Sequence, residues 1–237
     1  AQARHLQIEA MEAAFADVYA HVADPRFMTR VTPQQLLDDG YLKERAALIR
    51  PDRATDFGSG LPPGGGTVYL CAADEHGGMV SFIQSNYMGF GSGVVVPGTG
   101  VSLQNRGFGF CTDPAHPNCV APGKRPFHTI IPAFLTEGGR PRMSFGVMGG
   151  NMQPQGHLQT LTRMVDWHQH PQAACDAPRW KVQRGLSVDV EAAMQAEVAE
   201  QLRGMGHRLE TIADPYLDFG GGQFIWRLSD DPEAGYV

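Results

Sequence analysis

A chain of 237 residues, 42% of them apolar, is long enough to bury a core and to form one large domain or two small ones. Its formal charge of −6, with no Lys/Arg run longer than Lys124-Arg125, excludes the concentrated basic patch that nucleic-acid backbones require. No apolar run approaches the length that spans a bilayer, so neither nucleic acid nor a membrane is expected as a partner.

The chain opens inside a helical pattern: Ile8, Met11, Phe15, Val18 and Val22 recur every three or four residues and predict an amphipathic helix over 3–21, ended by Asp24-Pro25. Thr32-Pro33-Gln34-Gln35 predicts a second start, with Thr32 as N-cap, Pro33 at the first helical position and Gln35 closing a capping box. That helix carries Leu36, Leu37, Leu42, Ala46 and Ile49, with a break at Gly40. Residues 50–66 are rich in Pro, Asp, Ser and Gly, lack apolar periodicity, and read as an exposed, mobile linker.

The pattern then becomes extended. Residues 67–73, a Glu75-His76-Gly77-Gly78 turn and residues 79–85 predict a β-hairpin. A glycine-dense stretch over 89–105 marks tight turns. Strands are expected over 129–135 and 143–148, paired around Glu137-Gly138-Gly139-Arg140, then a helix over 155–168, a short helix from Pro171 and a strand over 180–182. Ser187 or Asp189 is expected to cap a helix carrying Val190, Met194, Val198, Leu202 and Met205, stopped by Gly206. Strands over 209–212 and 223–228 close an α+β chain with helices on the outer faces of its sheet. Starting at Ala1 inside a helical pattern and stopping at Val237 as a strand pattern begins, the chain is expected to be part of something longer.

Two stretches carry candidate chemistry. Thr67 follows Gly64-Gly65-Gly66 at the head of a strand, where threonine is common for structural reasons alone. Its hydroxyl is also placed to attack the Gly66 carbonyl, shift the acyl group from nitrogen to oxygen, and on hydrolysis leave an N-terminal threonine whose own amino group is the base. Gly149-Gly150 ends a strand just before a helix; this is either a plain turn or a pair of backbone N–H donors for an oxyanion. Cys111 and Cys119 flank a loop containing His116 and invite either a disulfide or a partial metal site, but the fourth zinc ligand is missing. Asp166, His168 and His170 read as a solvated cluster at a helix-to-helix turn, so neither a metal nor another cofactor is expected.

Thr67 with its strand, Phe90-Gly91-Ser92-Gly93, Pro122-Gly123-Lys124-Arg125-Pro126 and Gly149-Gly150 occur in the order seen in γ-glutamyltranspeptidases, and nearly the whole chain resembles that family. The resemblance implies the four-layer αββα sandwich of N-terminal nucleophile hydrolases. It makes residues 1–66 the end of a large subunit and 67–237 the small-subunit catalytic region, with the remainder of the large subunit as partner. Thr67 becomes the nucleophile, Ser85 a hydroxyl that hydrogen-bonds it, Gly149 and Gly150 the oxyanion hole, and Gly66-Thr67 the bond cut in autoprocessing. The implied activity is a self-processing amidohydrolase or acyltransferase that passes an acyl group from a small-molecule amide to water or an amine.

The substrate clamp departs from the family. Where acidic residues hold a glutamyl α-ammonium, this chain has Gln104-Asn105-Arg106-Gly107-Phe108-Gly109; paired serines become His128-Thr129, and Tyr87 replaces a small polar residue. Tyr87, Asn105, Arg106, His128 and Thr129 are therefore the substrate-binding candidates. A cation at Arg106 disfavours an α-ammonium and favours an acidic or neutral acyl group, which brings a glutaryl or cephalosporin-type acylase into view. A catalytically silent relative that kept the fold as a binding or scaffold protein is the competing expectation.

Overall fold

A computed structural model describes residues 1–58, 67–214 and 219–237 of the chain. The chain divides into two units, the first drawn from Ala1–Pro62, Asn105–His128 and Trp180–Ala213, the second from Pro63–Gln104, Thr129–Arg179 and Asp214–Val237.

In the first unit, helix α1 (Gln2–His21) buries Ile8, Met11 and Phe15 on the face its periodicity predicts. Asp24 then accepts from the Arg26 N–H and turns the chain. The Thr32/Gln35 capping box forms at α2 (Pro33–Leu36). The helix expected to run on from there is two helices, because Asp38 accepts from the N–H groups of Gly40 and Tyr41 and so starts α3 (Asp39–Ala46). Gly40 lies inside that first turn and is not the break. Residues 50–58 are tied down as well: the Ala54 N–H donates to the Met205 carbonyl and the Thr55 N–H to Glu9 Oε1. Of the expected linker, residues 59–66 lie outside the described residues.

The expected helix start at Ser187 or Asp189 is a strand. Within 187–191, Val188, Asp189 and Val190 are all buried and the run pairs with strands on both sides, so it is the central strand of a sheet. β5 (Trp180–Arg184) runs antiparallel to β6 (Ser187–Glu191), and β6 runs parallel to β7 (Arg208–Ile212) through α6 (Ala196–Gly204). Helix α6 starts nine residues later than Ser187 and keeps Val198 and Leu202 buried.

The second unit holds the expected hairpin of β1 (Thr67–Ala73) and β2 (Met79–Ser85), with Asp74 accepting from the His76 and Gly78 N–H groups in the turn. A second antiparallel sheet has the order β3 (Ala133–Glu137), β4 (Arg140–Val147), β8 (Gly222–Trp226). β3 begins four residues later than its sequence suggests, because Pro132 has no N–H for a ladder and the Ile131 N–H goes to Gln153 Oε1. The two sheets stack. Tyr69 Oη hydrogen-bonds Ser81 Oγ (2.9 Å) and Ser144 Oγ (3.3 Å), and Ser144 Oγ donates to the Val80 carbonyl. On its other face β4 packs Met143 and Phe145 against Met164 and Ala174 of the helical layer, which comprises α4 (Met152–Leu161), a π-turn over 162–166 in place of the expected continuation, and α5 (Pro171–Asp176). The outward face of β1 and β2 leaves Val68, Leu70, Val80 and Phe82 exposed.

Gly146 is what allows the sheets to close. A Cβ there would lie 2.4 Å from the Tyr69 ring, which is itself buried. Gly146→Ala is therefore expected to cost about 1–3 kcal/mol through overpacking, read as a lowered midpoint in thermal unfolding; an unchanged midpoint would mean that the sheets do not meet at Tyr69.

Candidate active site

The β1–β2 register sets Thr67 opposite Ser85, and Thr67 Oγ1 donates to Ser85 Oγ at 3.1 Å. Ser85 Oγ also accepts the Tyr87 N–H at 2.9 Å. Tyr87 is buried and held at φ +75°, a left-handed conformation that a bulky residue adopts only when its surroundings impose it. Two accepted hydrogen bonds thus fix the Ser85 oxygen, which in turn orients the Thr67 hydroxyl. Among the described residues, Thr67 Oγ1 has no carboxylate or imidazole partner. The base available by chemistry is its own α-amino group, once the bond to Gly66 is cut. Gly66 lies outside the described residues.

Gly149 and Gly150 follow β4 with φ of +110° and +61°, and Gly150 is buried. Their carbonyls accept from the N–H groups of Met152 and Gln153 and so open α4. Their own N–H groups donate to nothing among the described residues. Tyr69 lies over Gly146, whereas Val80, paired with Ala72, meets Ser144, so moving back along β1 toward Thr67 runs toward the Val147–Gly150 end of β4.

A part of the site that sequence reasoning passed over supports this turn. The Met148 N–H donates to the Gly221 carbonyl, and Arg179 Nη1 donates to the carbonyls of Phe219 and Gly220. Gly220, at φ +58°, sits so close that a Cβ would lie 2.4 Å from Met148 O and 2.9 Å from Gly149 N. The signal was present as Gly220-Gly221-Gly222, three glycines at the entry of a strand.

His157 holds the last residue of β4. Its Nε2 accepts the Val147 N–H at 3.1 Å and its ring meets Phe145 edge-on, so the imidazole is neutral with the proton on Nδ1. Burial pulls its pKa down to about 4. An unfolded-state value near 6.5 means that this contribution to stability is complete above that pH and is lost as pH falls toward 4. The full effect is about 3 kcal/mol. Urea unfolding from pH 7 to pH 4.5 is expected to show this loss, and His157→Gln, which can accept the same bond without titrating, should flatten the dependence; an equally steep slope in the variant would remove His157 as its source.

The other expected site residues divide between the units. Thr129 is buried in the second unit, just ahead of β3. Asn105, Arg106 and His128 belong to the first, where Arg106 is buried. Partial burial and then the charges of Arg106 and Arg125 hold His128 below its ordinary pKa. The Pro122–Pro126 block is an anchor in that unit: the Arg125 N–H donates to Asp24, Arg26 reaches the Gly123 carbonyl, and Lys124 Nζ donates to the Cys119 carbonyl. All four cysteines are free thiols. Both nitrogens of His116 are engaged, Nε2 with Tyr19 O and Nδ1 with the Asn118 N–H, and His170 Nδ1 caps α5.

The family model described as gamma-glutamyltranspeptidase matches residues 1–236. The chain is similar to a solved cephalosporin acylase from Bacillus halodurans, with 50% identity and a TM-score of 0.87, covering 98% of this chain and 42% of that one. It is 41% identical to the oxamate amidohydrolase proenzyme of Klebsiella pneumoniae over 90% of this chain and 41% of the relative. It is 37% identical to the glutathione hydrolase-like YwrD proenzyme of Bacillus subtilis over 89% and 40% respectively. The chain thus spans about two fifths of the length of these relatives.

Proposed function

The chain belongs to the gamma-glutamyltranspeptidase family over residues 1–236, and from that premise we propose that it holds the end of a large subunit, 1–66, and a small-subunit catalytic region, 67–237, of a self-processing threonine amidohydrolase. The observation that carries this reading is the Thr67 hydroxyl held on Ser85 at the head of β1. In autoprocessing, Thr67 Oγ1 attacks the Gly66 carbonyl, the peptide nitrogen leaves as the Thr67 amine, and water hydrolyses the resulting ester to free the Gly66 carboxylate. In turnover, the same oxygen attacks the substrate amide while the amino group takes its proton. The Gly149 and Gly150 N–H groups receive the oxyanion, and the proton returns to the leaving amine. Water or a second amine then releases the acyl group. The remainder of the large subunit covers the exposed Val68, Leu70, Val80 and Phe82, which completes the four-layer αββα sandwich.

The acyl group is acidic or neutral and lacks an α-ammonium. Asn105 and Arg106 stand where the family's acidic clamp is expected, and the charges of Arg106 and Arg125, which add to burial in keeping the nearby His128 imidazole neutral, meet no carboxylate in the Gln104–Gly109 stretch. Similarity to a cephalosporin acylase and to an oxamate amidohydrolase supports the same choice, since oxamate carries a carboxylate and no ammonium group. Tyr87 and Thr129 complete the substrate-binding set. The test is a panel of γ-glutamyl, glutaryl and simple acyl anilides on the full-length protein, alongside mass spectrometry of the purified chain. Glutaryl turnover above γ-glutamyl turnover and a fragment beginning at Thr67 are expected. A γ-glutamyl preference overturns the substrate assignment, and an intact chain alone, inert on all three, leaves a silent relative.

A further inference from the structure

We propose that His5, Glu9 and His207 bind one divalent transition-metal ion of the zinc type, which clasps the start of α1 to the turn between α6 and β7. None of these residues enters the acyl-transfer chemistry above. His5 and Glu9 are four apart on α1 and therefore share a face. His207 reaches them from the turn made by Gly206, at φ +106°. One ligand atom from each of the three lies within 4.8 Å of the others, and all three side chains are buried, at 0%, 0% and 2% exposure.

The remaining bonds of each side chain orient it toward a common centre. His5 Nε2 is spent on the Arg50 carbonyl, at 2.7 Å, which assigns the proton there and leaves Nδ1 as the ligand atom. A backbone carbonyl on the far nitrogen is the usual support of a metal-binding imidazole. Glu9 Oε1 takes the Thr55 N–H, and Oε2 meets no donor. Glu12, one turn further along α1, hydrogen-bonds Glu9 and is next in line as a fourth ligand. Among the described residues no ion pair involves Glu9, so no side-chain cation balances that buried carboxyl group. A buried acceptor left without a donor is costly, so Glu9 Oε2 beside the two facing imidazole nitrogens favours an occupant that accepts lone pairs.

Two imidazoles and one carboxylate suit zinc and its neighbours, whereas calcium or magnesium would ask for more oxygen ligands. In the metal-free protein His5 Nδ1 and His207 Nε2 are 2.7 Å apart and share a proton. Ligand distances near 2.0–2.1 Å on a tetrahedral ion require these nitrogens to part to about 3.3 Å, so the rings move by roughly half an ångström as the ion displaces that proton. Because the site is closed, the ion enters as the chain folds. The clasp also fixes residues 50–55, through the Arg50 carbonyl and the Thr55 N–H, on the stretch that leads to Thr67.

The test is to unfold the full-length protein in denaturant with EDTA and refold it with or without zinc chloride. One zinc per chain is expected to survive gel filtration, with a melting temperature higher by about 5 °C or more than that of the metal-free protein. X-ray absorption at the zinc edge should read two imidazoles and carboxylate oxygen. Glu9→Gln and His207→Asn should each lose the zinc and the thermal gain; if either variant fails to fold, stoichiometry and absorption on the wild type decide. No retained zinc, no thermal gain, sulfur ligands, or full zinc content in both variants would overturn the site. None of these readouts uses amide hydrolysis, so a failure here is separable from a failure of the proposed activity.

Discussion

Thr67→Ala is expected to leave the chain uncut between residues 66 and 67 and to lower amide hydrolysis by about 10⁴-fold or more, the scale on which removal of a nucleophile acts. If Thr67 only opened a strand, the same change would cost no more than about 1 kcal/mol of β-propensity and leave chemistry untouched. The two roles are separated by orders of magnitude in rate. The fold is expected to survive, because Thr67 is half-buried and among the described residues its side chain makes a single hydrogen bond, to Ser85. Thr67→Ser, which keeps the oxygen, should still process and turn over. Ser85→Ala should cost less, about 10–100-fold, since it frees the hydroxyl's orientation without removing it. Mass spectrometry for a fragment beginning at Thr67, anilide turnover and a thermal melt on the same sample read all three variants. Any processing or turnover in the Ala variant removes Thr67 as the nucleophile.

What was legible in the sequence is what is local. The helical spacing of Ile8, Met11 and Phe15, the Thr32/Gln35 box and the Thr67–Ser85 hairpin each specify themselves within about twenty residues, and the structure has them all. The Thr67–Ser85 contact follows from the turn at Asp74, because hairpin register fixes which residues face each other. Where two periods abut, the reading failed: Val188 and Val190 continue without a break into the helical spacing of Met194 and Val198, and only pairing to β5 and β7 assigns the first pair to a sheet. Contacts made across the chain were invisible. Asp24 with Arg125, His5 with His207 and Gly220 with Gly149 are each joined by folding alone. The Pro122–Pro126 block was legible as a family mark, yet its local role, anchoring its loop to Asp24 and Arg26, needed coordinates.

Gly220→Ala tests whether the Gly149–Gly150 turn works as an oxyanion hole, because backbone donors cannot be deleted but can be displaced. At φ +58° a side chain is strained whatever the space, and here the new Cβ would lie 2.4 Å from Met148 O and 2.9 Å from Gly149 N. Both are backbone atoms of the turn itself and cannot rotate aside. Relief requires the 148–149 peptide to move, taking the Gly149 N–H off its line. Loss of one oxyanion donor is worth about 10²–10³ in kcat, so a fall of that size with KM changed by less than about threefold is expected. Gly221→Ala is the control: its Cβ would meet only the flexible Met148 Cε, at 3.3 Å, and its carbonyl keeps the Met148 N–H, so turnover should stay within about twofold of wild type. Thermal unfolding of both variants separates a displaced turn from a lost fold. Normal kcat in folded Gly220→Ala would mean that the 149–150 amides do not face the reacting carbonyl, and the oxyanion would then need donors from elsewhere in the site.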